Sequence, residues 1–191
     1  MVPPSAPSPV PEAAWIDLEP EEKRERLLDV ATAVFTDHGL EAPMPGIASA
    51  AGIGIGSLYR SYGSKEDLVA ALLVRQLGLL RDEVREAGEH ADAWSAIESS
   101  VRRIAERQAT NKLLSGALGL TSDRRDVVVA VGELNLAWQE LIDRARDDGT
   151  VRTDATVKDL RYLFAAARAA DDVEPGGRER VLDLMLGALG T

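Results

Sequence analysis

A chain of 191 residues, 45% hydrophobic and 28% charged, has room for one large globular domain or two small ones. It carries no cysteine and two histidines, His38 and His90, which excludes disulfides, thiolate metal sites and a histidine-rich metal centre, and no cofactor is implied. A formal charge of −10 argues against a protein that coats nucleic acid without regard to sequence.

Alanine is abundant, aromatic residues make up 4%, and no alternating β-branched run of strand length occurs, so the expected fold is all-α. The start of the chain has neither a basic nor an apolar segment of the secretory kind. No apolar run approaches the ~20 residues of a spanning helix. A cytoplasmic protein without membrane contact is expected.

In chain order, residues 1–19 form a proline-rich tail, MVPPSAPSPVP followed by Trp15, Ile16 and Leu18, which are either an apolar anchor on the body or an accidental cluster. The first helix should start near Pro20, with Glu21 and Glu22 beside the positive end of its dipole, and stop at Gly39. His38 reads as a cation at the end of that helix. The second helix should begin at Pro45 and the third should span Ile55 to Tyr62, with Gly63 as its C-cap. Ser64-Lys65-Glu66-Asp67 is an S-x-x-D capping box opening a long fourth helix that runs toward Gly88. Further helices are expected over Asp92–Thr110, Lys112–Leu118, Asp123–Asp148, Asp154–Asp171 and Gly176–Leu189. Breaks fall at Gly119 to Ser122, Gly149-Thr150 and Pro175 to Gly177, which makes nine helices and no internal repeat.

The segment from Ala42 to Lys65 carries the functional signal. Two short helices joined at Gly52 are the unit that places a helix in the DNA major groove. The segment has no carboxylate, while Arg60 and Lys65 are present, as a surface facing phosphates needs.

RERLLDVATAVFTDHG and then IASAAGIGIGSLYRSYGSKEDLVAALL resemble the tetracycline-repressor (TetR) family of bacterial regulators. The resemblance rests on Phe35 and Gly39, on Ile47 to Gly52, on Gly56 to Tyr59, on Tyr62, and on Ser64 to Leu68. It implies a nine-helix fold in which residues 20–66 bind DNA through a helix-turn-helix and residues 67–191 bind an effector and dimerise. The last two helices, with Leu160, Leu163, Phe164, Ala167, Val181, Leu182, Met185, Leu186 and Leu189, would pair across a twofold axis, and some of these residues must serve the intrachain core. Three features depart from the family pattern. Pro43 and Met44 offer no hydroxyl where threonine is common. The arm before the first helix is acidic, and Ser61 replaces a larger polar residue. Modest, salt-sensitive DNA affinity is the expectation.

The implied partner is a palindromic operator in double-stranded DNA. Ile55 would touch a thymine methyl or the core, and Ser57 would donate or accept at a base edge. Arg60, the one long cation on this helix, would reach guanine or phosphate. Tyr59, Tyr62 and Lys65 would position the DNA backbone beside Ser61, although Tyr59 also suits core packing. An apolar effector would lie between two stripes, Trp94, Val101 and Gln108 on one and Val131, Asn135 and Trp138 on the other, most such positions being ordinary core.

Two rival readings differ in class. Gly52-Ile53-Gly54-Ile55-Gly56 superficially resembles a phosphate-binding loop, but such a loop follows a strand, and no catalytic constellation accompanies it. The other rival is the same fold with weakened DNA binding, acting through protein partners, which the acidic arm and the missing threonine would suit.

Overall fold

The computed structural model describes residues 15, 18–90, 92–110 and 113–191. Among these residues it contains nine α-helices. They are α1 Pro20–His38, α2 Met44–Ala51, α3 Ile55–Ser61, α4 Lys65–His90, α5 Ala93–Thr110, α6 Leu113–Thr121, α7 Arg125–Asp147, α8 Val157–Val173 and α9 Gly177–Leu189. The described residues hold no strand, and one isolated antiparallel bridge joins Val151 to Gly190.

The helices close over two apolar cores. Leu27, Ala31 and Phe35 of α1 meet Ile47 of α2, Leu58 of α3 and Leu68 of α4 in the N-terminal core. Ile97 and Val101 of α5, Trp138 and Leu141 of α7, Leu163 of α8 and Leu182 of α9 build the C-terminal one. Each fully buried leucine or isoleucine adds on the order of 1.5–3 kcal/mol of transfer free energy. The long helix α4 runs through both cores, giving Leu72 and Leu73 to the first and Val84 to the second.

The N-terminal core does not end with α4. Ala117 of α6 and Val127 and Ala130 of α7 complete it, and Leu134 packs against both cores. Asp67, at the start of α4, accepts a 2.8 Å hydrogen bond from Arg124 just before α7. The first helices are therefore joined to the rest by shared apolar packing and an ion pair as well as by chain connectivity.

Several boundaries differ from the sequence reading. Helix α2 starts one residue earlier, at Met44, so Pro45 stands at its second position, where a missing N–H is still harmless. Helix α3 ends at Ser61, and Tyr62, with φ −135° and ψ 110°, leaves the helix without left-handed backbone. Gly63 is therefore not a C-cap: it does not adopt positive φ, and a Cβ there would lie 3.2 Å from the Asp67 carboxylate. Gly88 does not end α4, which continues to His90. It is buried where α7 crosses, and a Cβ at that point would come within 2.6 Å of Leu141 Cδ2. Gly119 and Leu120 lie inside α6, because the helix persists to Thr121. Its expected start at Lys112 lies outside the described residues, as do residues 1–14, Ile16 and Asp17 of the tail. Trp15 packs against the N-terminal core, which favours the anchor reading for that residue. Helix α8 starts later than expected, at Val157, because Thr156 and Asp159 form a capping box. The Thr156 amide and hydroxyl both donate to the Asp159 carboxylate, at 2.7 and 2.9 Å.

Candidate nucleic-acid interface

The turn between α2 and α3 is made by glycine. Gly52 has φ 68° and ψ 29°, the left-handed conformation that costs a residue with a Cβ roughly 1 kcal/mol or more. Its amide donates to Ser49 O at 3.1 Å and the Ile53 amide donates to Ala48 O at 3.0 Å, which satisfies the last carbonyls of α2. Ile53 then packs on the N-terminal core and fixes the direction in which the chain leaves. Gly54, extended, starts α3 and accepts from the Ser57 amide at 2.8 Å.

Helix α3 is seven residues long and buries Leu58 completely. The rest faces outward. Ile55 is 40% and Tyr59 47% exposed, and Arg60 and Ser61 are exposed as well. The core alternative for Ile55 and Tyr59 therefore gives way to a surface role. Ser57 is half-buried; its hydroxyl accepts a 2.8 Å hydrogen bond from Arg60 Nη2, and its carbonyl accepts from Ser61 Oγ at 3.2 Å.

Tyr62 and Lys65 lie at the α3–α4 turn. Tyr62 is half-buried against the N-terminal core, and its phenol pKa is raised, chiefly by loss of water and partly countered by nearby Arg24. That neighbourhood places its ring toward α1. Lys65 is half-buried at the first turn of α4. The S-x-x-D box beside it is formed, the Asp67 amide donating to Ser64 Oγ at 3.1 Å and that hydroxyl donating to the carboxylate at 2.9 Å. These bonds and Arg124 hold the Asp67 pKa below the usual carboxylate value, the Ser64 hydroxyl contributing most.

The structure thus brings Ile55, Ser57, Tyr59, Arg60 and Ser61 onto one short helix, with Lys65 beside it and Tyr62 turned inward. A helix of this size presented by a tight turn suits a major groove about 12 Å wide. The sequence reading does not find Arg124. Its position before a helix is visible, but nothing local marks it as the partner of a carboxylate 57 residues away.

Two family models match this chain. One, described as bacterial regulatory proteins of the tetR family, matches residues 27–72, and the other, the C-terminal domain of SbtR-like transcriptional regulators, matches residues 92–190. The chain belongs to the TetR family. The HTH-type transcriptional repressor KstR2 of Rhodococcus jostii is 31% identical over 154 residues, covering 74% of each chain. The TetR transcriptional regulator SCO0520 of Streptomyces coelicolor superposes with a TM-score of 0.65 at 27% identity, over 87% of this chain and 98% of its own. The ketosteroid transcriptional regulator KstR2 of Mycobacterium tuberculosis, at 22% identity and a TM-score of 0.60 over 88% and 95%, shares the fold. The family is one of DNA-binding transcriptional regulators rather than enzymes.

The residues assigned to an effector are divided between the two cores. Val101 and Trp138 are buried in the C-terminal core, and Trp94 packs at its edge, its ring against Gly190 near the end of the chain. Val131 packs against the N-terminal core instead, and Gln108 and Asn135 are half-buried. Among the described residues no helix is long and apolar enough to cross a membrane.

Proposed function

We propose that the protein is a homodimeric repressor, working in the cytoplasm, that holds a palindromic operator and is released from it by a small apolar molecule. The observation that carries this reading is the outward face of α3, where Ile55, Ser57, Tyr59, Arg60 and Ser61 lie in a segment free of carboxylates from Ala42 to Lys65. Residues 20–66 read the DNA and residues 67–191 take the effector and the second subunit, while residues 1–19 form the tail. The effector site is assigned to the α5 and α7 stripes on the side of the C-terminal core, with Trp94, Val101, Gln108, Asn135 and Trp138 as its candidates, while Val131 lies with the other core. An effector that favours the wrong separation of the two reading helices lowers operator affinity by that difference in binding.

Dimerisation is assigned to the outer faces of α8 and α9. Their inner faces are already occupied, since Leu160, Leu163, Leu182 and Leu186 are buried within one chain. Outside, Tyr162 is 66% and Leu184 57% exposed, with Ala165, Ala169 and Gly187 beside them as small exposed residues that permit close approach. Leu184→Glu should give a monomer in sedimentation at micromolar concentration, and its advantage for a palindromic duplex over a half-site should shrink relative to wild type. An unchanged dimer would move the interface elsewhere.

The function is tested by selecting genomic fragments with the purified protein at low salt, then measuring the best fragment against salt concentration. One palindromic site that survives near-physiological salt is the expected result. Its logarithmic salt slope should be about −0.9 for each phosphate neutralised. Weak binding without a preferred sequence, lost as salt rises, would favour the rival in which the same fold acts through protein partners.

A further inference from the structure

We propose that Ser57 is a positioning residue for base readout: it holds the Arg60 guanidinium over the first turn of α3, aimed at a guanine edge in the major groove. This rests on the DNA-binding reading above and assigns it a specificity determinant. Arg60 stands in the last turn of α3, the end that a recognition helix usually keeps farther from the bases. Long helical side chains lean toward the N-terminus, and here the lean is completed by a hydrogen bond. Arg60 Nη2 donates to Ser57 Oγ at 2.8 Å, one turn back, and Nη1 lies 3.6 Å from where a Cβ on Gly56 would stand. The guanidinium therefore lies along the exposed side of the helix over two residues too short to cover it.

The remaining donors point to a base rather than to a structural role. A guanidinium offers five N–H groups in a planar fork. Arg75, Arg102 and Arg124 spend theirs on carboxylates of this chain. Arg60 has no carboxylate partner among the described residues. Planar, bidentate recognition of O6 and N7 of guanine is what such a fork does best. Anchoring one nitrogen on Ser57 also removes rotamer freedom before DNA arrives, which lowers the cost of binding. The Ser61 hydroxyl donates to the Ser57 carbonyl and so leaves the Ser57 hydroxyl to its neighbour.

The test compares binding-site preferences of the full-length wild type, Arg60→Ala, Arg60→Lys, Ser57→Ala and Ser57→Thr, each selected from a random duplex library, with folding checked by circular dichroism. Arg60→Ala and Arg60→Lys should each erase preference for G·C at one position per half-site, a loss on the order of 10- to 100-fold. Ser57→Ala should lose about three- to ten-fold at that same position with an unchanged salt slope, and Ser57→Thr should restore it. In the Arg60→Ala background, removing the Ser57 hydroxyl should change nothing further there. The proposal is overturned if Ser57→Ala alters a different base pair, or if Arg60→Ala weakens all sequences equally and flattens the salt slope by about one, the mark of a phosphate contact. If the wild type selects no site at all, the DNA-binding reading fails first, and the two failures are distinct.

Discussion

The short helix α3 and the C-terminal pair α8–α9 are held in place by different means. Of α3, only Leu58 is buried, and the helix is fixed by what flanks it: left-handed Gly52 on one side and the Ser64–Asp67 cap on the other. Helices α8 and α9 bury Leu160, Leu163, Ala167, Leu182 and Leu186 and are fixed by packing. A helix that buries a single side chain has little packing to orient it, so its orientation is entrusted to turn chemistry. Helices that bury a broad apolar face in the core can rely on burial. The contrast predicts that stability and DNA binding respond to different residues.

The largest loss of stability should come from the packed end. Leu163→Ala removes a fully buried side chain and should cost about 2–5 kcal/mol in chemical denaturation, while the surviving folded fraction still binds DNA. Gly52→Ala should cost less stability, roughly 1–2 kcal/mol, because only one residue is forced into left-handed backbone. Its DNA affinity should nevertheless fall further than that of Leu163→Ala, since the turn aims the helix. Equal affinity for the two folded variants would show that turn chemistry does not orient α3.

The smallest effect should be a pH dependence at the second flank. The folded pKa of Asp67 is depressed, so its contribution is present above the unfolded value near 4 and is lost as pH falls through the lower folded value. Thermal unfolding followed between neutral pH and about pH 3 should therefore show a shallower acid loss for Asp67→Asn than for wild type. A matched pair of curves would mean that neither Ser64 nor Arg124 draws stability from this carboxylate. The effect should remain small because both partners are partly exposed.

Most of the candidate reading surface is legible in the amino-acid sequence. Gly52 at the turn, Ile55, Leu58 and Tyr59 at helical spacing, and Ser64 three residues ahead of Asp67 are interactions that act within about a turn of backbone, and such chemistry is written in neighbouring letters. Legibility ends where one residue type serves two purposes. Gly63 and Gly88 look like helix stops, yet the first lacks positive φ and the second sits inside α4 as the place where Leu141 approaches. The Ser57–Arg60 spacing is visible as well, but not the rotamer that joins the two.

Local sequence chemistry, then, sets the all-α class, the helix-turn-helix and its family, because propensity, capping and periodicity are short-range. Packing in three dimensions settles the rest. It divides Val131 from Val101 and Trp138 between two cores, brings Arg124 to Asp67 across 57 residues, and chooses which faces of α8 and α9 stay open. These depend on which helices meet, a property of the whole folded chain that no stretch of a few residues contains.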